Sequence, residues 1–178
     1  MQLSIAIFLL GFSMGPLIFG PLSDAFGRRK LIYLSLLMFS LFSLLCCFSF
    51  NIYLLILFRF FQAVSGSVST VCGRAAIADL LSGNELAKKY SLLGLILTIA
   101  PILAPIIGSW INEIFGWRYI FIFMTAFGLF FVSISFIFIP ETLEYDKRIK
   151  FSFKGVSSNY LLILKNKTAI FYILFLSS

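Results

Sequence analysis

The chain has no histidine and little charge. Of its 178 residues, 12% are charged, whereas 61% are apolar and 18% are aromatic. Its three cysteines, Cys46, Cys47 and Cys72, lie inside apolar runs and lack the spaced partners that a metal site needs. No glycine-rich phosphate loop with a lysine is present, which argues against ATP as the energy source. The sequence also contains no nucleophile–base pair and no cluster of metal ligands. We therefore expect that the protein binds no metal or cofactor and is not an enzyme.

The scarcity of charge also predicts the fold class. A mean hydropathy of +1.05 leaves too little polar surface to cover a water-soluble globule. The apolar runs reach the ~20 residues that a helix needs to cross a bilayer, and they lack the polar–apolar alternation of barrel strands. We predict an all-α, polytopic membrane helical bundle. Its expected spans are residues 3–20, 31–50, 52–78, 90–111 and 119–139.

The positions of lysine and arginine predict how the spans are oriented in the membrane, because positively charged loops stay in the cytoplasm. Eleven bases fall on one face of the predicted bundle: Arg28, Arg29, Lys30, Lys88, Lys89, Lys147, Arg148, Lys150, Lys154, Lys165 and Lys167. On the opposite face, Arg118 is the only base. The net charge of +7 is thus a topology signal, and we expect no nucleic-acid partner.

Three segments follow from this pattern. We expect residues 1–140 to form an incomplete N-terminal transmembrane half and residues 141–167 to form a cytoplasmic central loop. We expect residues 168–178 to be the start of a further span, because this run is apolar but its eleven residues would reach only ~16 Å as a helix, about half a bilayer. The expected surroundings are a lipid bilayer, specifically the cell inner membrane.

A charged motif, GPLSDAFGRRK, lies at residues 20–30 between the first two spans. Gly20 and Gly27 are expected to supply the tight backbone of a short connection, because glycine adopts positive φ cheaply. Asp24 and Arg28 are four residues apart, the spacing of an ion pair on one helical turn. We predict a conformational latch of Asp24, Arg28 and Asp79, with Arg74 as a candidate member. In the alternative, Arg28, Arg29 and Lys30 only keep this loop on the cytoplasmic side, and Arg74 only anchors its helix at the membrane surface.

Arg59 lies about seven residues inside the third span, where a charge is costly unless it faces a partner or water. Gln62 falls on the same side of the helix at ~100° per residue. We predict that Arg59 lines a cavity and tunes a proton-carrying carboxylate on another helix, with Gln62 bonded nearby. The alternative is an arginine that extends to the interface and only anchors the helix.

Small residues and prolines form one stripe on the fourth span: Gly94, Thr98, Pro101, Pro105 and Gly108. Each proline removes a backbone donor and bends the helix. Such a stripe is typical of a helix that packs closely against a neighbour and seals a cavity during alternating access. A kinked structural helix would show the same pattern.

Several of these motifs resemble those of the major facilitator superfamily. Residues 20–29 fit its pattern Gly-x-x-x-Asp-x-x-Gly-Arg-Arg/Lys, RFFQAVSGS from Arg59 resembles its fourth-helix motif, and APILAPIIGS from Ala100 resembles its antiporter motif. Ala63 and Ser109 replace glycines of those motifs. The doubled Ala-Pro, GWRYIF at 116–121 and PETL at 140–143 look most like the bicyclomycin-resistance (Bcr/CflA) drug-efflux subfamily.

The resemblance implies that the spans are helices two to six of a twelve-helix, proton-driven exporter of drugs or small metabolites. The seven acids are expected in loops, so the proton-binding carboxylate would lie on the missing first helix. Two hypotheses remain. The chain is either one part of a proton antiporter, as a piece of a longer polypeptide or together with a separately encoded remainder, or a truncated or degenerate membrane protein without transport activity.

Overall fold

The protein is described by a computed structural model over residues 2–139. This range folds into five helices without a strand: α1 (Gln2–Phe26), α2 (Arg28–Cys47), α3 (Ile52–Leu80), α4 (Gly83–Phe115) and α5 (Trp117–Phe138). The predicted all-α helical bundle is thereby confirmed. The predicted central loop at 141–167 and the predicted further span at 168–178 lie outside the described residues.

Two of the four connections are single glycines. Gly27 separates α1 from α2 with φ 93°, and Gly116 separates α4 from α5 with φ 94°. Positive φ is cheap only for glycine, so one residue can end one helix and allow the next to begin. The expectation that Gly20 also takes a positive φ was wrong. Gly20 is inside α1, because the single break at Gly27 makes a second one unnecessary.

Helix α3 packs against both α1 and α2, and α5 also packs against α2. Helix α4 is different, since it mainly contacts α5 and makes only a small contact with α3. None of its residues is buried within the described part of the chain. The core is therefore formed by α1, α2, α3 and α5.

Small residues allow these helices to approach closely. A Cβ added at Gly11 would lie 2.7 Å from the carbonyl oxygen of Phe60 on α3. A Cβ at Gly15 would overlap the Ser67 hydroxyl. Contacts of this kind are the usual basis of helix association in lipid, where there is no hydrophobic drive between helices.

The interior is rich in serine rather than in large apolar residues. Buried serines on α2 donate to carbonyl oxygens of their own helix, as in Ser35 Oγ to Ile32 O at 2.8 Å and Ser40 Oγ to Leu36 O at 2.9 Å. This bond satisfies a hydroxyl that has no access to water. The serines thus add little bulk and leave no orphaned donor at the helix contacts.

All five helices are long and apolar enough to cross a membrane, with lengths from 20 to 33 residues. Their outward surfaces expose many large apolar side chains, including Leu9, Ile106 and Phe130, each at least 60% exposed. Such a surface suits hydrocarbon and not water. The chain is a multi-pass membrane protein.

The acids do not lie where the sequence pattern suggested. Asp24, Asp79, Glu85 and Glu113 were expected in loops, but all four are helical and lie near helix ends. The helices extend past the apolar runs because charged side chains at a membrane surface can be solvated while the backbone remains helical. The other three acids lie outside the described residues.

Candidate functional site

A charged cluster of Asp24, Arg28 and Asp79 lies where α1, α2 and α3 meet. Arg28 forms ion pairs with Asp79 on α3 and, at 3.6 Å, with Asp24 on α1. The Arg28 side chain is only 10% exposed, whereas those of Asp24 and Asp79 are 45% and 30% exposed. A nearly buried guanidinium is therefore held between two carboxylates that reach water.

The local sequence explains this geometry. The break at Gly27 makes Arg28 the first residue of α2 and keeps Asp24 one turn away, on the last turn of α1. The positive end of the α2 dipole favours a carboxylate at this position. The Ser23 hydroxyl donates to Gly20 O at 2.7 Å and lies 3.5 Å from an oxygen of the Asp24 carboxylate. The three helices are thus joined at one end through a single arginine.

Arg74 lies outside this cluster. Its side chain is exposed and forms no ion pair with any residue in the range 2–139. Its backbone carbonyl oxygen accepts a hydrogen bond from the Tyr90 hydroxyl at 3.1 Å, which links α3 to α4. The predicted membership of Arg74 in the latch stays a prediction.

A second group, the interior cluster, surrounds Arg59. Arg59 donates to Gln62 Oε1 at 3.0 Å, and Gln62 Nε2 donates to Ser43 Oγ on α2 at 2.6 Å. The amide also lies 3.7 Å from the sulfur of Met124 on α5. Gln62 is fully buried and Arg59 is half-buried. The predicted neighbours Arg59 and Gln62 are brought together inside the bundle.

Two aromatic rings face the Arg59 guanidinium. Its central carbon lies 4.6 Å from the ring centre of Phe8 on α1 and 5.6 Å from that of Phe121 on α5. A ring face attracts a cation most strongly where water is excluded. Four helices therefore contribute to holding one positive charge in the interior, and no carboxylate lies among its described contacts.

The sequence did not reveal Ser43, Met124, Phe8 or Phe121 as members of this cluster. Ser43 is a polar residue in an apolar span, but two other serines precede it on α2 and no feature of the sequence singles it out. The two phenylalanines are hidden among 23. Only the packing of α1, α2 and α5 on α3 identifies them.

The proline stripe of α4 faces away from the bundle in the described residues. Pro101 and Pro105 are exposed, and Gly108 is partly exposed. A Cβ added at Gly94 or Gly108 would meet nothing within 4 Å. The predicted close packing of this stripe against a neighbour is not seen within 2–139, and its sealing role stays a prediction.

Residues 2–139 contain no group of three or more histidine, cysteine, aspartate or glutamate side chains that could hold a metal ion. The three cysteines are buried and unpaired with one another in the described part. Among the described residues, the geometry thus offers ion pairs at one end of the bundle and a half-buried cation in its interior.

These features define a polytopic helical membrane protein with a charged cluster at one end of the bundle and an arginine in its interior. The whole chain, residues 1–178, matches the family model for the Major Facilitator Superfamily. The chain is 37% identical over 175 residues to the uncharacterized MFS-type transporter YdgK of Bacillus subtilis, covering 97% of the chain and 44% of that protein. It belongs to the Major Facilitator Superfamily.

Two other relatives carry names that refer to drugs. A bicyclomycin resistance protein homolog of Haemophilus influenzae is 32% identical over 171 residues, which cover 96% of this chain and 43% of that protein. A multidrug transporter of Candida glabrata, TPO1_2, is 34% identical over 137 residues, which cover 76% of this chain and 24% of that protein. The chain spans less than half the length of these curated relatives.

Proposed function

We propose that this chain is part of a proton-coupled exporter of drugs or small metabolites in the bacterial inner membrane, of the bicyclomycin-resistance type. Its five helices correspond in this proposal to helices two to six of a twelve-helix transporter. The interior cluster around Arg59 carries the proposal. A cation that four helices hold inside a membrane bundle is costly, and such residues usually mark an ion or substrate pathway.

Arg59 would act by tuning a carboxylate that binds and releases the transported proton. A fixed positive charge favours the ionised form of a nearby acid, so it helps the acid to release its proton at the correct step. No acid lies among the described contacts of Arg59, and we propose that another helix of the transporter supplies it. A further part of the same polypeptide or a separately encoded remainder would complete the cavity.

The charged cluster is proposed to be the latch that changes during transport. Arg28 joins α1, α2 and α3 at one end through Asp24 and Asp79. Because both carboxylates reach water, either pair can break and be solvated while the other is retained. Such a cluster can bias the balance between inward- and outward-open arrangements of the helices.

The proposal is supported by the names of two relatives, which refer to bicyclomycin resistance and to multidrug transport. The motif at GWRYIF and the doubled Ala-Pro favour the same subfamily. We propose that the substrates are small organic molecules and that protons provide the energy.

Transport of ethidium and resistance to bicyclomycin test this function. The protein that carries this chain is expressed in bacterial cells without their major efflux pumps, and ethidium accumulation is measured with and without a protonophore. We expect lower ethidium accumulation and higher bicyclomycin resistance than in cells that carry the empty vector, and the protonophore should abolish the difference in accumulation. Asp79→Asn should reduce export on the order of tenfold, because ~1.4 kcal/mol in a conformational balance has that effect.

Glu85→Gln is the matched control, because it removes the same charge from the first turn of α4, where Glu85 is exposed and forms no ion pair with a described residue. It should export at the wild-type rate. Wild-type export by Asp79→Asn would contradict the latch. If the protein reaches the membrane and exports neither compound, the alternative of a truncated or degenerate membrane protein without transport activity is favoured.

A further inference from the structure

Helices α2 and α5 begin with the same short pattern. Phe-Gly-x-Arg occurs at residues 26–29 and again at 115–118. The two glycines have nearly the same backbone conformation, with φ 93° and ψ 143° at Gly27 and φ 94° and ψ 164° at Gly116. Each pattern therefore places an arginine, Arg29 or Arg118, at the second position of its helix.

Arg29 reaches across to the end of α5. Its Nη2 donates to the carbonyl oxygen of Phe136 at 3.1 Å. Tyr33, one turn further along α2, donates from its hydroxyl to the carbonyl oxygen of Ser135 at 3.1 Å. Arg29 also hydrogen-bonds to the Tyr33 hydroxyl and lies 5.5 Å from its ring centre. The first turn of α2 thus binds the last turn of α5.

Arg118 makes the reverse contact at the other end of the same helix pair. Its Nε donates to the carbonyl oxygen of Cys47, the last residue of α2, at 3.2 Å. Its guanidinium lies 4.5 Å from the ring centre of Trp117. In both contacts, an arginine braced by an aromatic ring of its own helix caps the carboxyl end of the partner helix.

The carboxyl end of a helix favours contact with an arginine for two reasons. The last four carbonyl oxygens of a helix have no partner in their own helix, and the carboxyl end carries a partial negative charge. A guanidinium satisfies both requirements at once. Between the two ends, Gly128 of α5 packs on Ser40 of α2, and the Thr125 hydroxyl lies 3.4 Å from the Ser40 carbonyl oxygen.

We propose that Arg29 and Arg118 form a reciprocal clasp that closes both ends of the antiparallel α2–α5 pair and holds the two helices together as one unit. This role is separate from any role of Arg29 in setting topology, and it goes beyond the proposed transport. It requires no substrate, proton or further helix, since both donors and both acceptors belong to α2 and α5 themselves.

Hydrogen–deuterium exchange of the full chain in lipid nanodiscs tests the clasp. Arg29→Met keeps the length of the side chain but removes its donors. We expect it to raise amide exchange about tenfold in the last turn of α5, more than 100 residues away in sequence. Arg118→Met should raise exchange by a similar factor in the last turn of α2 and should leave the end of α5 unchanged.

Lys30→Met is the matched control, because it removes a positive charge beside Arg29 from an exposed side chain. It should leave both helix ends unchanged. The clasp is overturned if the two methionine variants affect only amides near their own positions, or if Lys30→Met has the same effect as Arg29→Met. If a methionine variant does not fold, Arg29→Gln and Arg118→Gln decide by the same measurement, because glutamine stays polar but lacks the charge and the reach of arginine: exchange above wild type at the distant helix end supports the clasp, and wild-type exchange there overturns it.

Discussion

At the scale of single residues, the orientation of the Arg59 side chain depends on Ser43. The Ser43 hydroxyl donates to Phe39 O at 2.7 Å, so its lone pairs are left to accept from Gln62 Nε2. That bond turns the Gln62 oxygen toward Arg59. A chain of three hydrogen bonds therefore connects the α2 backbone to the interior cation.

Replacing Ser43 by alanine should destabilise the bundle. Gln62 is fully buried, and loss of its acceptor leaves an amide donor without that partner, at a cost of about 1–3 kcal/mol. We expect the thermal unfolding midpoint in detergent to fall by several degrees, since each kcal/mol shifts it by roughly 2–4 °C in a chain of this size.

Ser40→Ala serves as the comparison. Ser40 is also buried and bonds to a carbonyl of its own helix, but it accepts no hydrogen bond from Gln62. Ser40→Ala should lower the thermal unfolding midpoint by clearly less than Ser43→Ala does. Equal losses in the two variants would show that Ser43 does not hold Gln62.

Sequence spacing was sufficient to place Asp24 near Arg28 and Gln62 near Arg59, because residues three or four apart in a helix share a face. It was also sufficient to propose Asp79 as a partner of Arg28 from its place at the end of the third span. Spacing within one helix carries no information about which residues of other helices face it. Ser43 and Phe8 therefore required the packed structure.

At the scale of helices, the contact between α1 and α3 depends on Gly15. A Cβ at this position would overlap the Ser67 hydroxyl and lie 3.0 Å from the Val64 carbonyl oxygen. The obstacle includes backbone of α3, which cannot rotate away. Gly15→Ala should therefore push the two helices apart and destabilise the bundle by about 1–3 kcal/mol, as overpacked cores do.

Gly73→Ala is the matched control in the partner helix, because a Cβ there would meet nothing within 4 Å. Alanine favours a helix by up to about 1 kcal/mol over glycine, so this variant should be as stable as wild type or more stable. Unfolding by titration with a denaturing detergent measures both. A Gly15→Ala variant as stable as Gly73→Ala would contradict the close contact.

The apolar runs predicted that five helices exist, because a chain in lipid must satisfy its backbone hydrogen bonds within each segment. They did not predict where the helices end. Lys88 and Lys89 were expected in a loop, but α4 begins at Gly83 and includes both. Charge shows where the apolar layer ends, whereas backbone breaks such as Gly27 and Gly116 show where helices end.

At the scale of the whole molecule, the described helices differ in how much of their surface is covered. Helices α1, α2 and α3 form the charged cluster and, with α5, the interior cluster, whereas α4 buries none of its residues among those described. The predicted arrangement in the membrane places the charged cluster at the cytoplasmic end and Arg118 at the opposite end. The interior cluster around Arg59 then lies below the outer surface.

Labelling with a membrane-impermeant maleimide tests this central arrangement most directly. Lys30→Cys and Phe50→Cys are single reporters at opposite ends of α2, and the three native cysteines are buried. Phe50 is 93% exposed and Lys30 is also exposed. In intact spheroplasts, we expect Phe50→Cys to be labelled and Lys30→Cys to react only after the membrane is permeabilised. Labelling of Lys30→Cys in intact spheroplasts, or of both positions from the same side, would contradict the account.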